Sequence, residues 1–240
     1  MISTTGEPVW TGSRPPPWFM GLIAVGLHAV VVSAATFINW LYRSFLRPGK
    51  DLAQRYGAWA VVTGATDGIG RAMALELARQ GLHLVLIGRN ATKLSHVGKE
   101  VQKAAPSCKV MSVVFDLGGD THDMSRGVAT VAAAVEGLDV GILVNNAGAT
   151  YPGATYFHEV DTQVWEAVVR VNVEAATRIT RAVVPAMVRR RRGAVINVGS
   201  GSSVVLPAFP LYAVYAASKE YIDKFSRSLS TEYKQYEVDL

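Results

Sequence analysis

Residues Thr63-Gly64-Ala65-Thr66-Asp67-Gly68-Ile69-Gly70-Arg71 stand between an apolar run and a helical pattern, and they decide the fold. Glycines at 64, 68 and 70 let a chain leave a strand, turn sharply and open a helix whose N–H groups face an anion. The spacing is G-x-x-x-G-x-G rather than G-x-G-x-x-G, so its position between strand and helix carries the argument. Outward from it, short Val/Ile/Leu-rich runs at 59–63, 82–87, 109–115, 140–144 and 194–198 predict strands. Longer patterns at 68–80, 91–105, 123–136 and 161–191 predict helices. Runs apolar throughout, alternating with helices, imply an α/β doubly wound parallel sheet covered on both faces, a Rossmann fold.

The end of the second strand bears on which dinucleotide binds. An NAD-preferring site places an Asp or Glu about 20 residues beyond the glycine turn, against the ribose 2′-OH. This chain has Gly88-Arg89-Asn90 instead. With no carboxylate to repel a 2′-phosphate and Arg89 to pair with it, NADP(H) is the expected cofactor. Arg71 is expected to add a second cation. The plain alternative for Arg89 is a surface arginine without a partner.

Four further signals follow in order: Asn145-Asn146-Ala147-Gly148 after the fourth strand, Asn172 in the next helix, Gly199-Ser200-Gly201-Ser202-Ser203 after the fifth, and Tyr215-Ala216-Ala217-Ser218-Lys219 at the start of the last long helix. Residues four apart share a helix face, so the Lys219 ammonium can approach the Tyr215 phenol and favour its phenolate. A lone Tyr-x-x-x-Lys is usually a surface pair; the ordered set has no comparable plain explanation.

From about residue 58 the chain resembles the short-chain dehydrogenase/reductase family. The wording around Thr66-Asp67-Gly68-Ile69-Gly70, Gly141-Ile142-Leu143-Val144-Asn145-Asn146-Ala147-Gly148 and Asn197-Val198-Gly199-Ser200-Gly201 is similar to very-long-chain 3-oxoacyl-CoA reductases of microsomal fatty-acid elongation and their 17β-hydroxysteroid dehydrogenase relatives. That resemblance implies Tyr215 as general acid and Lys219 as its tuning charge and ribose contact. Ser200 would hydrogen-bond the substrate oxygen, and Asn172 would order a water that refills the proton. Gly64, Thr66, Asp67, Gly68, Ile69, Gly70 and Arg89 would hold the cofactor, with Asp116 at the adenine and Asn145, Ala147 and Gly148 on the adenosine side. The family's usual spacing back from the tyrosine lands on Ser202, whereas the motif after the fifth strand points to Ser200; Ser200 is chosen and Ser202 kept in reserve.

Residues 18–41 contain no charged side chain. As a helix those two dozen positions span about 36 Å, enough to cross a bilayer. Trp18 and Phe19 mark one edge, Trp40 and Tyr42 the other, and Arg43, Arg47, Lys50 and Arg55 follow at once. The positive-inside rule places everything after residue 43 in the cytosol. A cleaved signal peptide would have a shorter apolar stretch and a basic start. The expected layout is a polar tail (1–17), a transmembrane anchor (18–41), a basic linker (42–57) and a reductase domain (58–240), in the endoplasmic reticulum membrane by the resemblance.

The rest of the composition narrows the partners. With 18% charged residues and a net charge of +5, basic residues are too few and too scattered for a nucleic-acid surface; the run Arg189 to Arg192 reads as a solvated helix C-terminus. Cys108 is the only cysteine, and the five histidines lack ligand spacing, so no disulfide and no metal are expected. The implied partners are an acyl-CoA or steroid-like lipid, the membrane, elongation-complex proteins and a second copy of the chain. The family normally continues past a sixth strand, which would begin at Glu237. The sheet is therefore expected to end on an incomplete edge, with part of the substrate pocket missing and little turnover.

Overall fold

The computed structural model describes residues 17–47, 49 and 51–240, and these divide between Gly49 and Lys50 into two compact units. In the first, helix α1 (Pro17–Leu41) runs on as a π-helical turn over Tyr42–Leu46 and has no buried residue. Pro17 fits the first helical position, where its missing N–H costs nothing. By length and composition, Pro17–Leu46 could cross a membrane. Residues 1–16 of the expected polar tail lie outside the described residues.

The second unit opens with a short helix α2 (Leu52–Tyr56), capped by the Asp51 carboxylate, which accepts from the Gln54 amide at 2.9 Å. Leu52 and Tyr56 pack against the core, so the latter part of the expected linker is built into this unit. The strands are β1 (Trp59–Thr63), β2 (His83–Gly88), β3 (Val110–Val114), β4 (Val140–Asn145), β5 (Gly193–Asn197) and β6 (Val238–Asp239). Their order is β3-β2-β1-β4-β5-β6, every pair parallel. The five expected strands are present to within a residue at most ends. The sixth pairs Val238 with Gly193 and Asp239 with Ala194, and there the described sheet stops.

Helices α3 (Gly68–Arg79) and α4 (Ala91–Ala104) cover one face, and α5 (Thr121–Val135), α6 (Thr162–Val169), α7 (Ala176–Arg190) and α9 (Ala213–Tyr233) belong to the other, with a short α8 (Gly201–Val204) after β5. The sheet therefore separates two cores. One collects Val61, Ile87, Leu143, Ile179 and Met187, and the other Val62, Leu84, Leu86, Leu94 and Val144. Alternate residues of one strand go to opposite cores, which is why β1, β2 and β4 carry uninterrupted apolar runs (59–62, 84–87 and 142–144) rather than an apolar residue at every second position.

Two differences from the sequence reading have local causes. Helix α5 begins at Thr121, two residues earlier than expected, because the Asp120 carboxylate caps it by accepting from the Asp123 amide at 2.9 Å. The helix expected over 161–191 is widened in its middle by a π-helical turn, Arg170–Ala175, which carries Asn172. Such turns insert a residue without breaking the helix and recur at functional sites.

The basic run is not simply solvated. Arg190 and Arg192 both reach Asp139, at 3.0 and 2.9 Å, and Asp139 also accepts from the Ala58 amide at 3.2 Å. These residues clamp the C-terminus of α7 to the start of β1.

Candidate active site

Strand order reverses between β1 and β4, and a cleft of about 750 Å³ opens there at the carboxyl ends of the strands. Residues following β1, β2, β3, β4 and β5, together with α9, line it. A larger concavity of about 890 Å³ lies between α5 and α7 and holds none of the candidate residues.

The glycine turn is held against the β4 turn by a compact set of polar contacts. Thr63 Oγ1, 2% exposed, accepts from the Asn146 and Ala147 amides, both at 3.0 Å, and donates to the Val144 carbonyl at 3.3 Å. Asn146 Nδ2 returns to the Thr63 and Gly64 carbonyls at 3.0 and 3.1 Å. This closeness leaves no room for side chains in the turn. A Cβ on Gly70 would collide with Asn146 Nδ2 and the Gly64 carbonyl, and one on Gly64, whose φ is +63°, would meet Ala147 Cα at 2.9 Å. Asp67 caps α3 by accepting from the Gly68 amide at 2.8 Å. The free N–H groups of this helix start are what an anionic pyrophosphate needs.

Of the residues expected at the cofactor, Gly64, Thr66, Asp67, Gly68, Ile69, Arg89, Asp116, Ala147, Gly148, Tyr215 and Lys219 all line the cleft. Gly70 sits beneath it as the buried contact just described. Asn145 is a correction. It is 6% exposed and faces away, its Nδ2 donating to Thr180 Oγ1 and Asn197 Oδ1, both at 2.8 Å. The lining role falls to Asn146, the second asparagine of the pair. Arg71 is a second correction. Its guanidinium is held by both Glu100 oxygens at 2.7 Å, which neutralises it and raises its pKa through that hydrogen-bonded pair. Arg89 is exposed and has no ion-pair partner among the described residues, while Lys93 Nζ stands 4.0 Å from Asp67 at the neighbouring start of α4. Arg89 is thus a cleft-lining cation at the end of β2 with no carboxylate partner among the described residues.

At the other end of the cleft Tyr215 and Lys219 project from one face of α9. Lys219 is 6% exposed, and its Nζ donates to the Val198 carbonyl at 2.9 Å. No carboxylate pairs with it among the described residues, and burial pushes its pKa below the ordinary lysine value. Asn172 lies alongside: a Cβ on Gly148 would be 3.6 Å from both Asn172 Oδ1 and Lys219 Nζ. The Asn172 side chain is fully engaged, with Oδ1 accepting from the Ala149 amide at 2.8 Å. Its Nδ2 donates to the Ala149 carbonyl at 3.0 Å and to Ser218 Oγ at 2.8 Å.

The two candidate serines differ in what their hydroxyls have left to give. Ser202 is 9% exposed and donates its proton to Ser200 Oγ at 2.9 Å. Ser200 Oγ also accepts from the Ser202 amide at 3.2 Å. With both lone pairs of Ser200 taken, its own O–H is the one free to donate outward. Tyr151, which the sequence reading passed over, is buried, accepts from the Val214 amide at 3.2 Å, and so caps the turn of α9 that delivers Tyr215.

The glycine turn and the Tyr215/Lys219 pair face a cleft at the switch point, and Gly199, just before Ser200, lines it too, whereas Ser200 and Asn172 lie behind the lining. This is the layout of a dinucleotide-dependent oxidoreductase of the short-chain kind. Residues 58–240 match the short chain dehydrogenase family, and the chain belongs to it. Among relatives, it is 45% identical over 230 residues to a protein of Arabidopsis thaliana named very-long-chain 3-oxoacyl-CoA reductase-like, covering 95% of this chain and 72% of the relative. It is 35% identical to the very-long-chain 3-oxoacyl-CoA reductase of Mycosarcoma maydis, over 91% and 63% of the two chains. It is also 42% identical, over 82% and 57%, to the inactive hydroxysteroid dehydrogenase-like protein 1 of Rattus norvegicus. The chain thus spans between about half and three quarters of these relatives' lengths. Similar solved structures include a Sphingobium yanoikuyae short-chain dehydrogenase in complex with NADPH, with a TM-score of 0.67, 29% identity and coverage of 75% and 67%. Another is a metagenomic short-chain oxidoreductase in complex with NADP, with a TM-score of 0.66, 34% identity and coverage of 77% and 80%.

Proposed function

We propose that this chain uses NADPH to reduce the 3-oxo group of a long-chain 3-oxoacyl-CoA to the 3-hydroxy compound, as a step of fatty-acid elongation at the endoplasmic reticulum membrane. The observation that carries the chemistry is Tyr215 and the buried Lys219 on one helix face lining the cleft, with Ser200, whose hydroxyl is free to donate, following the cleft residue Gly199. The substrate class is taken from the names of the relatives.

The residues present fit the cofactor. The glycine turn leaves room for a pyrophosphate, Asp116 lines the cleft and would meet the adenine, and Arg89, without a carboxylate partner among the described residues, would take the 2′-phosphate. When bound, NADPH supplies the hydride. Ser200 holds the carbonyl oxygen through its free O–H. Tyr215 gives that oxygen its proton as the carbon accepts the hydride, so the carbonyl becomes a hydroxyl and the phenol a phenolate. The Lys219 ammonium stabilises the phenolate, and burial in a site of low dielectric strengthens its field. Asn172 braces the loop beside Lys219, and a proton from water restores Tyr215 along that side.

We also read residues 18–41 as a retained anchor and 58–240, together with the packed helix α2 from the expected linker, as the catalytic domain on the cytosolic side. An apolar helix with no buried residue, followed by Arg43 and Arg47, supports this. Elongation-complex proteins or a second copy are the partners such a placement suits.

The test is NADPH consumption by membranes carrying the chain, offered a long 3-oxoacyl-CoA and, separately, an oxosteroid. Turnover of the acyl-CoA alone, lost in Tyr215→Phe while NADPH still binds, is the expected result. Turnover of the steroid alone would move the substrate class. Binding without turnover of either would favour a cofactor-binding subunit, the reading to which the inactive relative lends weight.

A further inference from the structure

The second-to-last residue of the Tyr-x-x-x-Lys run lies between two groups the proposed chemistry needs. Ser218 is 4% exposed, and its Oγ donates to the Tyr215 carbonyl at 2.6 Å. The same oxygen accepts from Asn172 Nδ2 at 2.8 Å, across 46 residues of sequence. A hydroxyl has one proton, and this one is spent on the helix backbone. Asn172 must therefore donate, and its amide is held one way round.

We propose that Ser218 is a positioning residue, locking Asn172, and through it the Gly148–Ala149 wall of the cleft, to the helix turn that carries Tyr215 and Lys219. This rests on the function proposed above and deepens it.

The path is short and each link is polar. Ser218 fixes Asn172 Nδ2, Asn172 holds both the amide and the carbonyl of Ala149, and Gly148 next to it lies against Lys219 Nζ. Asn172 stands in a π-helical turn, where the ordinary helical bonding is interrupted, so side-chain contacts must supply the register. Without the Ser218 hydroxyl, one Nδ2 proton is left unpaired at a residue that is 2% exposed. The two walls of the cleft can then shift, and a displacement of about 1 Å costs on the order of a hundredfold in rate. Neither wall need lose its hold on the cofactor for this to happen.

The experiment uses the full chain in detergent, comparing Ser218→Ala and Ser218→Thr with the unmodified protein and Tyr215→Phe. Ser218→Ala should lower kcat about tenfold or more, with KM for NADPH changed less than threefold, and Ser218→Thr should recover most of the loss. In a cycle with Asn172→Ala, the double variant should be no slower than the slower single. Hydrogen exchange at the Ala149 amide should quicken about tenfold in Ser218→Ala, and this is read without turnover. A kcat within twofold while Tyr215→Phe is dead would overturn the positioning role alone, as would a loss that threonine does not restore. Equal rates for the unmodified chain and Tyr215→Phe would instead refute the proposed chemistry. In a chain without turnover, unchanged Ala149 exchange in Ser218→Ala overturns the linkage and faster exchange upholds it.

Discussion

Thr63→Val replaces a hydroxyl by a methyl of nearly the same shape, so it tests the polar contacts of the glycine turn with little change in packing. Three contacts go: the Asn146 and Ala147 amides lose their acceptor, and the Val144 carbonyl loses a donor. A buried polar group stranded in this way costs about 1–3 kcal/mol. The two amides are half-buried beside an open cleft and recover part of that from water, so the low end applies to each. The bond to Val144 is long at 3.3 Å, and its loss adds less than 1 kcal/mol. The sum is about 2–3 kcal/mol. For a domain of this size each kcal/mol moves Tm by about 2–4 °C, so the expected drop is roughly 5–10 °C. Thermal unfolding of the full chain, with and without NADPH, measures it. NADPH should restore less stability than in the unmodified chain, because the turn it grips has lost its brace. Thr63→Ser, which keeps the hydroxyl, should fall much less. If Thr63→Val unfolds within about 1 °C of the unmodified protein, the turn is not held by these bonds and the reasoning fails.

Further outcomes follow from the same geometry. Arg89→Asp should cut the preference for NADPH over NADH by at least about tenfold, or roughly 1.4 kcal/mol, and equal affinities in the unmodified chain would show that Arg89 does not select the phosphate. Lys219→Met should abolish turnover yet raise apo stability by about 1–2 kcal/mol, because it removes a buried charge that no carboxylate pairs among the described residues. The sign can be checked by pH. A lysine whose pKa is lowered by burial costs stability most where both states are protonated, and that cost fades as pH rises through the depressed pKa toward 10.5. The gap between variant and unmodified chain should shrink over that alkaline range; a gap that widens would contradict it. Gly70→Ala would gain about 1 kcal/mol in an open helix, but here the Cβ meets Asn146 and Gly64, so a net loss of stability and at least tenfold weaker NADPH binding are expected. A stabilised variant would mean that the turn can open.

The sheet was legible because burial on both faces leaves uninterrupted apolar runs, and the glycine turn marked where the first of them ends. That same double burial hid the orientation of Asn145. A strand buried at every position from Val140 to Asn145 offers no alternation from which to judge which of two adjacent asparagines faces the cleft. Arg71 was misread for another reason: its partner Glu100 lies 29 residues on, and only packing of α3 on α4 brings them together. Ser200 and Ser202 could not be ranked from spacing, since the difference lies in which hydroxyl spends its proton on the other. The π-helical turn left no trace in the pattern, because one extra residue in a long amphipathic helix shifts the apolar stripe only slightly.

The contact between Arg55, Tyr56 and Asp239 bears on how the domain is made. Tyr56 Oη and Arg55 Nη2 reach the same Asp239 carboxylate oxygen, at 2.8 and 3.2 Å, joining residues 183 and 184 positions apart. During synthesis the first five strands and the core under α3 and α4 can assemble while the last helix is still leaving the ribosome, whereas the other core waits for Val238. The foot of the sheet, however, has to wait for residue 239. Until then α2 lacks this anchor, and the growing chain passes through an interval in which the β5 edge is open to a chaperone or to a neighbouring nascent chain. A pause in translation before Asp239 has cleared the ribosome would lengthen that interval.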